Sequence, residues 1–553
     1  MRPLIALAFL AGAVPAAPAA LAATCESLLG FSHPDTTITS AVSIPGPSFT
    51  APDGQTYENL PPFCRVSAVL KPTPDSLINI EVWMPAGWSG RFLGVGNGGY
   101  AGNYAVAIPA MAPAIRLGFA AATTDMGTAP SANNNGDALV GHPQKWADWG
   151  YRATNLMTVV AKQIVQAYYG LAQSYSYFHG CSTGGQQALM EAQRFPNDYD
   201  GILAGAPAHN RTHVHTNVLW LYQQTHKTPL HYITPDKVPL ITNSINAACN
   251  VKSGGLATDA FLTDARACDW DPGKIQCALL DGTDCLTAEQ VQAARAIYAG
   301  PRNPANGHVI FPGSIRGSEN APDLGWNSLQ SNPEVPYGSL FKWVFGPTWH
   351  WSTYDFNQGM ASVDQLLAPI LNANNADLSA FRARGGKLLA YHGWADPIIS
   401  PQDMVNYYQR VVAQMHKNPA MGLRRTQEFF RLFMVPGMGH CSRGAGPNAF
   451  GNPFSARVVA PDAPSDAPSN DSDHNILLAL VDWVERGVAP QRIIATKYVN
   501  DVAQAGVQMT RPLCPYPLIP KYSGAGDPND AASFACAAGP PVSNPIAAQE
   551  YLQ

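Results

Sequence analysis

Apolar and polar positions along this chain follow two rhythms, and the pattern changes twice. Over 45–90, short strand-like runs alternate with Pro/Gly turns, the last run being Ile78-Asn79-Ile80-Glu81-Val82-Trp83. Arg91-Phe92-Leu93-Gly94-Val95-Gly96 then reads as a buried strand, and Ala120-Ala121-Ala122-Thr123-Thr124 also has the character of a strand. Helical periodicity covers 151–169, the aromatic run 175–179 predicts a strand, and 185–192 is rich in helix formers. Another strand ends at 203–207. Strands alternating with helices predict an α/β fold. From about 209 the rhythm stops and Asn, Gly and cysteine become frequent. This stretch holds the aromatic cluster Phe341, Trp343, Phe345, Trp349, Trp351 and Tyr354, which is expected to form the segment's own small core. The sheet rhythm resumes at Lys387, continues with a strand-like run over 431–435, and is followed by a helix over 475–484. One core in two parts, 23–208 and 386–553, is therefore expected to carry an inserted lid domain over 209–385. No internal repeat is evident.

The strand at 175–179 runs into Gly180-Cys181-Ser182-Thr183-Gly184 and then into the helix. This is the G-x-S-x-G pattern of a nucleophile elbow, in which a serine sits on a tight strand-to-helix turn. A serine needs a base, and the base needs an orienting acid. In an α/β-hydrolase they follow in the order serine, acid, histidine. Asp396 ends the strand-like run 387–391 and its Gly turn, and His440 lies in the Gly-rich loop after 431–435. Both positions follow strands, where open α/β sheets place their ligands. Asp125 also follows a strand but precedes the serine, and His179 should point away from the nucleophile's face. One oxyanion donor is expected from the N–H of Thr183 and the other from Gly98 or Gly99, in the loop after 91–96. A formed triad brings Cys181, before the serine, close to Cys441, after the histidine, so that a disulfide could fasten the two loops.

The constellation Cys181-Ser182, Asp396 and His440-Cys441 resembles the tannase and feruloyl esterase family of α/β-hydrolases, a group that includes mono(2-hydroxyethyl) terephthalate hydrolases. The resemblance implies a serine carboxylesterase acting on small esters with an aromatic acyl group: galloyl, feruloyl or a terephthalate half-ester. A half-ester needs a cation in the lid, and Arg302, Arg316 and Lys342 are candidates. His392, four residues before Asp396, is a candidate substrate-binding residue, with support of the loop as the alternative. A serine peptidase on the same fold and an inactive hydrolase-fold binding protein are the rival readings. Family members often carry a calcium loop between cysteines corresponding to Cys249 and Cys268. Here Asn250 and Ser253 stand where carboxylates are expected and only Asp259 and Asp264 remain, so no calcium is assigned.

Composition narrows the setting. Lys and Arg number 34 against 39 Asp and Glu, a net charge of −5 with no basic stripe, which makes nucleic acid a poor partner. The chain is 46% hydrophobic with 48 Gly and 48 Pro, a globular and loop-rich composition. An apolar run from Leu4 to Val14 followed by Ala20-Leu21-Ala22 reads as a signal peptide over 1–22, and no other stretch is apolar and long enough to span a membrane. The ten cysteines point to five disulfides in an exported protein. Short spacing favours Cys249–Cys268, Cys277–Cys285 and Cys514–Cys536. Cys25–Cys64 then remains, in agreement with the family pattern. Cysteine zinc sites are disfavoured because no C-x-x-C pair exists, and His213-x-His215 lacks a third ligand, so no metal or other cofactor is expected.

Overall fold

The structure is a computed structural model that describes residues 23–279, 281–453 and 468–542. The expected signal peptide, 1–22, lies outside the described residues. A nine-stranded mixed sheet organises the chain. Its strands in chain order are β1 (Thr36–Ile44), β2 (Phe63–Leu70), β3 (Ile78–Pro85), β4 (Arg91–Val95), β5 (Ala120–Thr124), β6 (Tyr175–Cys181), β7 (Gly201–Gly205), β8 (Lys387–Gly393) and β9 (Phe430–Val435). Their spatial order is β1-β2-β3-β5-β4-β6-β7-β8-β9. The first three strands are joined by antiparallel pairing, which extends to β5, and the remaining neighbours pair in parallel.

The parallel strands are nearly continuous apolar runs because both faces are covered. Side chains on β8 alternate between the two layers: Leu388 and Ala390 enter one hydrophobic cluster, Leu389 and Tyr391 the other. Helices α1 (Ile108–Arg116) and α6 (Ile476–Arg486) cover one face. The other is covered by α2 (Ala153–Tyr169), α3 (Thr183–Arg194) and α5 (Pro401–Met415). Asn475 caps α6 by accepting from the N–H groups of Leu477 and Leu478, and left-handed Gly487 ends that helix.

Between Gly205 and Lys387 the described residues form helices and loops and add no strand to the sheet. The first of these helices is α4 (Arg211–Thr225). The segment does not have a separate core. Its apolar residues join the cluster that covers one face of the sheet. Most of the aromatic cluster packs within the segment: Phe341 stacks on Trp349 at 4.9 Å, and Tyr354 meets both Phe341 and Phe345. Trp343 behaves differently, stacking on Trp146 at 5.7 Å and meeting Tyr100 and Trp149 of the core. All five expected disulfides are formed: Cys25–Cys64, Cys181–Cys441, Cys249–Cys268, Cys277–Cys285 and Cys514–Cys536. No helix among the described residues is long and apolar enough to cross a membrane.

Candidate active site

Four loops meet at the C-terminal ends of the parallel strands: Asn97–Tyr100 after β4, Ser182 after β6, Asp396 after β8 and His440 after β9. Ser182 has φ 66° and ψ −119°, a conformation that non-glycine residues rarely adopt and that marks a strained elbow. The strain persists because the turn is tightly enclosed. A Cβ on Gly180 would lie 2.5 Å from the Gly184 carbonyl oxygen, so strand and helix approach too closely for any side chain there. The Ser182 N–H donates to the Gly205 carbonyl at 3.0 Å, fixing the turn to β7.

Asp396 is fully buried and fully engaged. Its Oδ1 accepts from the backbone N–H groups of Ile398 at 3.0 Å and Ile399 at 3.1 Å. Its Oδ2 lies 2.8 Å from His440 Nδ1 and 3.0 Å from His392 Nε2. Burial alone would push this carboxyl up, but the two imidazoles outweigh it and hold Asp396 well below the usual carboxylate range. The carboxylate therefore stays ionised and fixes His440 with Nδ1 as donor, which leaves Nε2 to accept a proton. His440 retains a little solvent access. The disulfide Cys181–Cys441, with Cα atoms 6.0 Å apart, ties the residue before Ser182 to the residue after His440.

One expectation needs correction, and one open alternative narrows. His392 does not line a substrate pocket: it has no solvent exposure, and its Nε2 faces both Asp396 Oδ2 and the Ile399 carbonyl. It supports the acid loop. Of the two glycines considered for the oxyanion site, Gly98 directs its N–H to Asn97 Oδ1 at 2.8 Å. Asn97 is itself held by Gln187, Asn103 and Thr124. The Gly99 N–H has no acceptor among the described residues, and neither has that of Thr183. Gly99 sits at φ 53°, and a Cβ there would lie 1.9 Å from the Asn133 carbonyl oxygen, so only glycine fits. Thr183 Oγ1 and Trp149 Nε1 both donate to the Gly99 carbonyl, at 2.9 and 3.2 Å. The Thr183 bond anchors the Gly99 carbonyl at the start of α3.

Other candidates have structural partners. Asp125 accepts from Asn79 and Gly127 and serves as a turn cap. His179 is buried, neither of its ring nitrogens has a hydrogen-bond partner among the described residues, and burial pulls it down to about 3. His213 binds Asp364 at 2.9 Å and the Ile310 carbonyl, while His215 faces the Tyr337 carbonyl. The two histidines therefore share no ligand. The segment between Cys249 and Cys268 does not fit a calcium ion. Asp259 faces Arg511 at 3.1 Å, and Asp264 forms a two-pronged pair with Arg266 at 2.9 and 2.6 Å. The Asn250 amide donates to the carbonyls of Ala257 and Asp259. Each carboxylate already faces a guanidinium, whereas calcium requires six to eight oxygen ligands.

An ionised acid holding a histidine, a strained serine bridged to it through adjacent cysteines, and two free N–H groups define a hydrolase-type site on an α/β sheet. Comparison with known proteins gives the family. The model of the family described as tannase and feruloyl esterase matches residues 64–335 and 348–537. An uncharacterized esterase from Xanthomonas campestris pv. campestris is 40% identical over 547 residues, covering 94% of this chain and 92% of the relative. The probable feruloyl esterase B-1 of Aspergillus flavus is 32% identical, covering 86% of each chain. The crystal structure of feruloyl esterase B from Aspergillus oryzae superposes with a TM-score of 0.82 at 28% identity, covering 93% of this chain and 99% of that one. The chain belongs to the tannase and feruloyl esterase family and is a carboxylic ester hydrolase.

Proposed function

We propose that this protein is an exported serine esterase that hydrolyses esters of aromatic acids of the hydroxycinnamic or gallic type. The observation that carries the reading is the bridged pair of loops: Ser182 and His440 flank one disulfide, and Asp396 holds His440 through Nδ1. Ser182 Oγ attacks the ester carbonyl while His440 Nε2 takes its proton. The oxyanion is received by the N–H groups of Thr183 and Gly99, which are already oriented and need no rearrangement. His440 returns the proton to the departing alcohol, and water then releases the acid from Ser182 by the same steps. The inserted segment acts as a lid over this site. The substrate class follows from the relatives' names and from the aromatic side chains that surround the Gly99 loop. The five disulfides support export.

The half-ester reading gains nothing from the three cations first considered for it. Lys342 pairs with Asp137, Arg302 donates to the Gly307 carbonyl, and Arg316 donates to the Trp270 carbonyl. The test is a panel of methyl ferulate, methyl gallate, mono(2-hydroxyethyl) terephthalate, p-nitrophenyl palmitate and a peptide anilide. Aromatic stacking of about 0.5–1.5 kcal/mol favours the first two over the palmitate ester by several-fold in kcat/KM. Preference for palmitate rejects the aromatic acyl class, and cleavage of the anilide in preference to every ester rejects the esterase reading.

A further inference from the structure

The first residue of α4, Arg211, is 5% exposed and has no ion-pair or hydrogen-bond partner among the described residues. Its guanidinium carbon lies 4.7 Å from the centre of the Trp149 ring. The surrounding groups are aromatic. Tyr100 stacks on Trp149 at 5.0 Å, His215 meets Trp149 edge-on at 6.4 Å, and Tyr337 approaches Tyr100 and His215 at 6.3 and 6.0 Å. None of them supplies a negative charge. Burial and the adjacent Arg211 charge pull His215 down to about 3, and burial pushes the Tyr337 hydroxyl up. The carboxylates bonded to nearby elements are engaged elsewhere, Asp137 by Lys342 and Ser339 and Asp364 by His213 and Thr212.

A lone buried cation is expensive. Burying an ion without a counter-charge is costly, and a cation–π contact returns only part of that cost. Packing on Trp149 therefore leaves a deficit, and a ligand anion would offset it. The position suits a ligand. Trp149 donates to the carbonyl of Gly99, the residue whose own N–H is the candidate oxyanion donor. Three residues before Arg211, the Ala208 N–H donates to the Ser182 carbonyl at 3.0 Å. Arg211 is thus separated from the Gly99 loop by a single indole ring. Tyr337, which meets Tyr100 and His215, is held at φ 59°, a conformation rare for an aromatic residue and a mark of strain at functional sites.

Resting on the esterase reading, we propose that Arg211 is a specificity residue that binds a carboxylate of the ester substrate, carried by the acyl half or by the alcohol half away from the scissile bond. Arginine suits the role because its planar fork matches a carboxylate with two parallel hydrogen bonds.

Matched charged and neutral esters test the proposal. Monomethyl terephthalate and dimethyl terephthalate probe the acyl half, and a caffeoylquinic acid and its methyl ester probe the alcohol half. A charge-assisted hydrogen bond of about 1.5–3 kcal/mol predicts that wild type favours the charged member of one pair by roughly 10- to 100-fold in kcat/KM, mainly through KM. Arg211→Met should remove that preference, and Arg211→Lys should restore part of it. Titration of terephthalate into wild type and Arg211→Met by calorimetry reads binding without turnover, and affinity should drop by the same factor. Equal treatment of charged and neutral esters by wild type overturns the proposal without a variant having to fold, and leaves the esterase reading intact if the neutral esters are cleaved. Equal losses on both members in Arg211→Met also overturn it. Failure of wild type to cleave any ester would remove the catalytic reading and this proposal together.

Discussion

The sheet edge around Asp396 and the aromatic box around Arg211 bury opposite charges and treat them in opposite ways. Asp396 receives two backbone N–H groups and two imidazoles, so all of its lone pairs have a partner inside the protein. Arg211 carries five N–H donors and no described residue accepts from any of them. The first arrangement freezes a geometry, as a nucleophile–base–acid array requires, because a small displacement of reacting groups is costly. The second leaves its charge to be matched from outside. A third region gives the control: Arg511 is as deeply buried as Arg211, yet it faces Asp259 at 3.1 Å and packs over Phe534. Burial of an arginine therefore does not by itself suggest a ligand site. Burial without a counter-charge does.

Substitutions can break or sharpen this contrast. The largest effect belongs to the sheet edge. Ser182→Ala should lower kcat by at least about 10³-fold with little change in Tm, since only one hydroxyl is lost from a preformed site. A purified variant that keeps more than about a tenth of wild-type turnover would show that the frozen array is not the catalytic one. The next effect is loss of the covalent tie. Cys181→Ser combined with Cys441→Ser should cost about 10²-fold in kcat while the far-ultraviolet circular dichroism changes little. Non-reducing peptide mapping of wild type should return one peptide pair joining the two cysteines. The smallest effect separates the arginines by stability. Arg511→Met leaves Asp259 as an uncompensated buried charge and should destabilise by about 3 kcal/mol, lowering Tm. Arg211→Met removes an unpaired charge and should hold or raise Tm. Calorimetry with and without a chelator completes the test, because the Asp259–Arg511 and Asp264–Arg266 pairs make calcium dispensable and Tm should not respond. Equal destabilisation by both methionine variants would erase the distinction between a paired and an unpaired cation.

Much of the sheet edge was legible in the sequence because each of its residues closes a short apolar run. Ser182 follows β6 directly, Asp396 and His440 lie in the short loops after β8 and β9, and a Gly-containing turn after a buried strand has few conformations open to it. The bridge between Cys181 and Cys441 followed from bringing those turns together. Spacing alone could not show where His392 points. Four residues across a strand end and a tight turn do not fix a face, and the side chain turns inward to Asp396. Gly98 and Gly99 were indistinguishable for a similar reason, since the choice depends on the Asn97 side chain, which captures one N–H. The order of the first five strands needs pairings that local pattern does not encode. Arg211 was the hardest to see. It stands in a stretch rich in histidine and asparagine that reads as a polar surface, and its isolation arises only when Trp149, Tyr100 and Tyr337 converge from distant parts of the chain.

The link between Cys181 and Cys441 spans a sequence separation of 260, and everything between Gly205 and Lys387 lies inside that closed ring. A protease that cuts an exposed loop of the inserted segment would open the ring without releasing a fragment. The strand leading to Ser182 and the strand leading to His440 would stay on one molecule, joined through sulfur. A nicked form of this enzyme should therefore migrate as one species until reductant is added, and its two active loops should outlast the continuity of the backbone between them.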